Sequence, residues 1–190
     1  MPLYPEGVRT AYIGMGANLP SMIGQPEATL AAAAARLETL GDLVARSSLY
    51  STAPVGYAEQ PRFLNAAAAL ETDLTPFELL GALLLVEQEF GRNRTFSIAN
   101  GPRTLDLDIL LYDDFVIGGA TLEIPHPRLA QRAFVLVPLH EIAPQAIDPI
   151  TGSTVGKLLE SLVLSSGNEI DAVVPIQSDV WRSAPSSDEP

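Results

Sequence analysis

One run of nine residues constrains this 190-residue chain more than any other: Thr104-Leu-Asp-Leu-Asp-Ile-Leu-Leu-Tyr112. Read as a β-strand, it sends Leu105, Leu107, Ile109 and Leu111 to one face and Asp106, Asp108, Leu110 and Tyr112 to the other. A strand with one wholly apolar face must bury that face, so the chain needs a sheet with a layer packed on it. The second face carries chemistry. Asp106 and Asp108 stand at i and i+2, so both carboxylates leave one face with Cα atoms roughly 6 to 7 Å apart. Acids within a Leu- and Ile-rich run are costly unless paired or coordinated. A pair of aspartates suits Mg²⁺, which takes one or two carboxylates and completes its shell with water and phosphate oxygens. The alternative is a solvated strand face.

The basic residues concentrate around that run. Arg92, Arg94, Arg103, Arg128 and Arg132 lie between residues 92 and 132, where five acids balance them, leaving six bases against 18 acids elsewhere. An arginine cluster on a chain of net charge −12 points to a confined anion site, because the guanidinium fork matches phosphate and carboxylate oxygens. Ion pairing with neighbouring acids is the competing reading. Arg92, Arg94 and Arg103 bracket the polar loop from Thr95 to Pro102, just before the aspartates. Cations next to metal ligands are the residue types that phosphoryl transfer needs, since catalysis there rests on aligning groups and neutralising charge.

The remaining pattern alternates strands and helices. Strands are expected at Thr10 to Met15, Arg46 to Thr52 and Phe63 to Thr72, with Gly14, Gly16, Asn18 and Pro20 reading as a turn. Pro26 to Leu40 predicts a helix ended by Gly41. Thr75, Pro76 and Glu78 combine a capping box with proline at the first helical position, opening a helix that runs to Phe90 and stops at Gly91. Pro125 to Arg132 reads as a loop with a helical turn, Ala133 to Ile142 and Val155 to Leu164 as helices, and Ile170 to Ile176 as an edge strand. Ser183 to Pro190 is expected to be a disordered tail. On this reading residues 1–165 form one catalytic domain and 166–190 a partly disordered C-terminal extension.

Composition narrows the function. At 47% hydrophobic the chain can bury a core, and its acidic balance argues against a nucleic-acid binder. The absence of cysteine removes thiol nucleophiles and Cys-ligated metals, and suits the cytoplasm. The N-terminus does not read as a signal peptide, and no apolar run is long enough to cross a membrane. There is no P-loop, no complete dinucleotide fingerprint, no histidine pair at zinc spacing and no G-x-S-x-G elbow. Phe63 and Asn65 share a strand face and could offer a ring and an amide to one planar heterocycle, or could simply be core and strand edge.

Four segments together resemble the 6-hydroxymethyl-7,8-dihydropterin pyrophosphokinases of the folate pathway. They are Ala11-Tyr-Ile-Gly-Met-Gly-Ala-Asn18; Tyr50-Ser-Thr-Ala-Pro-Val-Gly56 with Gln60-Pro-Arg-Phe-Leu-Asn65; Gly101-Pro-Arg-Thr-Leu-Asp-Leu-Asp-Ile109; and Ile124-Pro-His-Pro127 with Arg132-Ala-Phe134. The resemblance implies an α+β fold, a ferredoxin-like sandwich with an antiparallel sheet and packed helices. It implies transfer of the β,γ-diphosphate of ATP to the hydroxymethyl oxygen of the pterin, releasing AMP, with two Mg²⁺ ions bridging ATP to Asp106 and Asp108. Arg92 and Arg103 fall on the family's catalytic arginines. Glu87, Arg94, Ile109, His126 and Arg132 match ATP contacts, beside Arg92 and Arg103. Phe63 and Phe134 match the two faces of the pterin, with Thr52, Val55 and Asn65 at its polar edge. The expected partners are ATP and the pterin, with no nucleic acid or membrane, and the chain is expected to act as a monomer.

The sequence departs from some relatives at Leu84 and Thr121, where they carry polar or basic ATP contacts, and in the 95–100 loop, which lacks an Arg-Trp pair. The same aspartates and arginines would also serve a metal-dependent phosphohydrolase. A pterin- or nucleotide-binding domain without turnover is the non-enzymatic alternative.

Overall fold

A computed structural model describes residues 7–57, 59–93, 101–166 and 172–183. Its elements follow in the order β1 (Arg9–Ala17), α1 (Pro26–Leu37), β2 (Asp42–Arg46), β3 (Leu49–Thr52), β4 (Phe63–Thr72), α2 (Pro76–Glu89), β5 (Asp106–Tyr112), α3 (Ala133–Ile142), α4 (Val155–Ser166), β6 (Val174–Ile176) and α5 (Asp179–Arg182). The sheet runs β5-β1-β4-β3-β6, with β2 also on β4, and every pairing is antiparallel. The β1α1β2, β4α2β5 order with β1 central is the ferredoxin-like arrangement the resemblance implies. One core lies between the sheet and α1 and α2, around Ile13, Leu30, Leu70, Leu83 and Leu107. A second lies under α3 and α4, around Leu110, Leu111, Leu136, Leu139 and Val155.

Local chemistry explains most boundaries. Thr75 caps α2 through the expected box: its side chain accepts from the Glu78 N–H, and the Glu78 carboxylate accepts from the Thr75 N–H at 2.8 Å. β4 spans Phe63–Thr72 although Ala66 to Ala69 are poor strand formers. It is central and buried on both faces, and its small side chains let α3 approach closely. Gly41 is required where the chain turns into β2, because a Cβ there would stand 2.2 Å from the Glu71 carbonyl oxygen.

The structure corrects four readings. β1 continues through Gly14 and Gly16, which pair with Ala67 and Asn65 on β4 and with Asp108 and Asp106 on β5, so these glycines lie within a strand rather than a turn. α1 ends at Leu37, not Leu40, because the Thr39 and Leu40 N–H groups turn back to the Arg36 and Leu37 carbonyls. The strand expected from Arg46 to Thr52 starts earlier and is divided. Ser47 sits at the break, donating its N–H to the Ala67 carbonyl while its hydroxyl oxygen accepts from the Ala67 N–H. Finally, β5 does not alternate to its end. Tyr12 pairs with Leu111 and Ile13 with Ile109, so Leu110 is a bulge. Leu110 and Leu111 therefore both join the core under α3, while Tyr112 joins Ile109 on the other face.

The segment beyond α4 folds back on the sheet. β6 pairs with β3, placing Pro175 on an edge strand where a missing N–H is tolerated. Trp181 of α5 is 5% exposed and packs in the core beside α1; its Nε1–H donates to the Ser47 carbonyl at 2.8 Å. Arg46 stacks on the same ring, 5.0 Å from its centre. Residues 184–190, the core of the expected tail, lie outside the described residues, as do 170 and 171 of the expected edge strand. Replacing Trp181 with alanine should destabilise the protein by about 3 kcal/mol, the order of a large aromatic lost from a core. Urea unfolding checks this; a change below about 0.5 kcal/mol would show that the segment is not part of the cooperative core.

Candidate active site

The site starts from the glycines of β1. Cross-strand partners project from the same face of a sheet. Gly16 lies between Asn65 and Asp106, and Gly14 opposite Asp108, so side chains from β4 and β5 rise on either side of a strand that contributes none. The clearance is small. A Cβ on Gly16 would stand 3.2 Å from the Asn65 Oδ1, and one on Gly14 would stand 3.2 Å from a Leu110 methyl. Above this floor lies a cavity of about 370 Å³.

One wall is charged. Arg92 follows α2, and its N–H donates to the Glu87 carbonyl. Its Nη1 donates to the Leu105 carbonyl at 2.7 Å and forms a close ion pair with Asp106. Arg103 donates to the other oxygen of Asp106 at 2.8 Å. Both arginines keep a buried Nε–H that has no hydrogen-bond partner among the described residues. Asp108 lies deeper. Burial, reinforced by the charges of Asp106 and Glu87, pushes its carboxyl up to about 6.

The turn before α3 also lines the cavity, through His126, Arg128 and Arg132. His126 donates its N–H to the Leu110 carbonyl, and its Nδ1 accepts from the Arg128 N–H at 3.1 Å. That leaves Nε2–H as the donor of a neutral ring. Burial, with Arg132 and Arg128 adding repulsion, pushes its pKa down to about 4, so it stays neutral at physiological pH. The rest of the lining is flat and apolar or amide-bearing. Phe63, Phe134, Val55 and Thr52 line the cavity with Asn65, whose Nδ2 donates to the Thr52 hydroxyl at 2.7 Å. Arg103 lies 5.0 Å from the centre of the Phe63 ring and Arg132 lies 5.3 Å from that of Phe134.

Most residues singled out in the sequence thus meet in one space: Arg92, Arg103, Asp106, Asp108, His126 and Arg132 on its charged side, and the five pterin-matched residues on the other. Glu87 and Ile109 do not line it. Glu87 is 1% exposed, accepts from the Leu107 N–H at 2.9 Å and lies 3.6 Å from Arg92, so it orients Arg92 and β5. The Ile109 side chain packs in the core facing α1 and α2. Arg94 lies outside the described residues. Three contributors were not singled out as site residues. Gly14 and Gly16 form the floor, and Asn18 ties two loops together. Its Oδ1 accepts from the Arg103 N–H at 2.8 Å, while its Nδ2 donates to Gln60 and to the Pro61 carbonyl, both at 3.0 Å. A buried asparagine directly after a G-x-G strand is the signal that could have found it.

The donor set also bears on metal binding. Among the described residues no group of three or more His, Cys, Asp or Glu is placed to hold a metal. Two carboxylates fit an ion that fills its shell with phosphate and water, as Mg²⁺ does, rather than the closed sites typical of zinc.

A model of the 7,8-dihydro-6-hydroxymethylpterin-pyrophosphokinase family matches residues 12–144. The chain belongs to this family. It is 45% identical over 137 residues to the 2-amino-4-hydroxy-6-hydroxymethyldihydropteridine pyrophosphokinase of Pseudomonas aeruginosa, covering 72% of this chain and 82% of that one. The enzyme of the same name from Synechocystis is 38% identical over 159 residues, 84% of this chain and 79% of the relative. Among solved structures, Plasmodium falciparum HPPK-DHPS superposes with a TM-score of 0.69 at 15% identity, over 90% of this chain. This chain spans about half the length of that one, 47%, and the likeness is one of fold. The family match ends before α4, so the segment carrying Trp181 lies beyond it.

The raised Asp108 pKa has a consequence for stability. Between about pH 4 and 6 the folded chain holds a proton that the unfolded chain releases, so this group's contribution falls as pH rises through 6. Asp108→Asn removes that dependence. In a chelator the variant should melt roughly 5 °C higher than the parent at pH 7.5, and the gap should close toward pH 4. Calorimetric scans across that range check it; a gap independent of pH would contradict the assignment.

Proposed function

We propose that the chain transfers the β,γ-diphosphate of ATP to the hydroxymethyl oxygen of 6-hydroxymethyl-7,8-dihydropterin, releasing AMP, in folate biosynthesis. The observation that carries this reading is the pairing, in one cavity, of four arginines and two carboxylates with two phenylalanine rings beside an amide. The first half suits a polyphosphate and the second a flat heterocycle.

The residue roles follow from that division. Asp106 and Asp108 would hold Mg²⁺, two ions by the family resemblance. Magnesium bound there would offset the charge of the phosphate chain. Arg92 and Arg103, which line the cavity beside Asp106, would hold the transferred phosphates and compensate charge as the pterin oxygen attacks the β-phosphorus. The O–P bond forms at the β-phosphorus, the bond to the α–β bridging oxygen breaks, AMP leaves with that oxygen, and the hydroxyl proton is released to solvent. The neutral His126 would donate from Nε2 to the nucleotide, with Arg132 as an added cation. Phe63 and Phe134 would enclose the pterin, while Asn65, Thr52 and the Val55 backbone read its polar edge. Arg94 would approach ATP from the 95–100 loop, and Ile109 through its backbone.

We place this activity in residues 1–165, acting as a monomer in the cytoplasm, with 166–190 as an extension. The absence of cysteine suits the cytoplasm. No helix among the described residues is long and apolar enough to cross a membrane.

Incubation with ATP, Mg²⁺ and the pterin should give AMP, and no AMP should form when pterin or metal is left out. ADP formed without pterin would favour a phosphohydrolase instead. Asp106→Ala and Asp108→Ala should each lower kcat by about 10³-fold while the far-UV spectrum is unchanged. Phe134→Ala should weaken pterin binding about tenfold and ATP binding by less than about twofold in calorimetry. Equal losses for both ligands would remove Phe134 from the pterin side.

A further inference from the structure

Charge balance around the cavity assigns a role to a residue outside the family-matched set. Four arginines line the cavity, Arg92, Arg103, Arg128 and Arg132, against the two carboxylates Asp106 and Asp108. Arg92 and Arg103 are both engaged with Asp106. Among the described residues, neither Arg128 nor Arg132 forms an ion pair. Both line the same cavity as His126, and the charge of Arg128, after burial, pushes Arg132 downward and adds to the downward shift at His126.

The backbone holds Arg128 in this position. Its N–H donates to the His126 Nδ1, and the Leu129 N–H closes the turn on the His126 carbonyl at 2.9 Å. It directly precedes the 3-10 turn Leu129–Gln131, which leads into α3 through Arg132. The turn thus keeps two guanidiniums at one cavity, neither ion-paired with an acid among the described residues. Like charges so held cost stability in the free protein, and an anion bound between them reverses that sign. The neighbouring neutral imidazole supplies a donor without adding a third charge.

We infer that Arg128 is a further phosphate ligand, gripping non-bridging oxygens of the ATP chain together with Arg132. This rests on the nucleotide reading above and deepens it. Arg128 supplies a further cation at the cavity wall beside Arg132, so the phosphate chain would meet guanidiniums from the turn before α3 as well as those of Arg92 and Arg103. Exposure of Arg128 to solvent fits a group that first meets an incoming anion and then closes on it.

The test compares Arg128→Gln and Arg128→Lys with the parent, using calorimetry with Mg-ATP, inorganic tripolyphosphate and the pterin as separate ligands. The glutamine variant should bind ATP and tripolyphosphate each about tenfold more weakly and the pterin within about twofold of the parent. The lysine variant should recover most of the loss, and the glutamine variant should melt no lower than the parent because a like-charge contact is gone. Unchanged ATP affinity in Arg128→Gln would overturn the proposal. So would a loss for ATP without one for tripolyphosphate, which would move Arg128 to the nucleoside. Equal losses for all three ligands with a lowered melting temperature would show a structural role only and would overturn it too. A parent protein that binds neither ATP nor tripolyphosphate would instead overturn the nucleotide reading itself.

Discussion

The register of β1 between β4 and β5 is the constraint on which the rest of this structure depends. Because Gly16 is the cross-strand partner of both Asn65 and Asp106, an amide suited to a heterocycle and a carboxylate suited to a metal rise on either side of one residue without a side chain. A shift of one residue in either pairing would send one of them to the opposite face, into the core under α1 and α2. The apolar partners of these strands prevent that shift. Ile13, Leu70, Leu107 and Ile109 must stay buried, and their burial sets which face the polar residues occupy. The hydrophobic pattern therefore fixes the chemistry's geometry, although no residue of that pattern takes part in it.

The site is built from charges that do not balance within the free protein. Asp106 is held by two arginines, Asp108 is buried enough to favour its proton, and Arg92 and Arg103 retain buried donors without acceptors among the described residues. The burial of Asp108 and the unmet donors each cost the isolated chain stability. The opposing shifts at Asp108 and His126 have a common origin in burial, which disfavours the charged form of either group. Positioning lies largely outside the cavity. Glu87 fixes Arg92 and the start of β5, and Asn18 joins the Arg103 backbone to the loop before β4.

Much of the fold was legible from the residues alone. The capping box at Thr75 marks the start of α2, and β4 was bounded correctly despite its alanines, because Phe63 and Thr72 delimit it at strand length. The bulge at Leu110 was not legible. A run of alternating residues carries no mark of where its partner slips, and the slip depends on packing under α3. Gly14 and Gly16 misled for a related reason: glycine usually breaks a strand, and only the ligand-side geometry of β4 and β5 explains it inside one. Arg92, Asp106 and Asp108 could be selected by type and spacing, as could Phe63 and Asn65. Glu87 and Ile109 came from the family resemblance, and the structure puts their side chains behind the cavity wall. The role of Trp181 was invisible, since a lone tryptophan near a proline- and serine-rich end gives no local pattern; its partners, Ser47 and Arg46, are distant in sequence.

The central claim is that one cavity aligns a pterin hydroxyl with the β-phosphorus of ATP, and the fate of that phosphorus tests it most directly. ATP labelled with ³²P at the β-position, mixed with Mg²⁺, pterin and the protein, should place the label on the pterin and leave the AMP unlabelled. Label recovered in ADP or in free phosphate, with none on the pterin, would contradict the account.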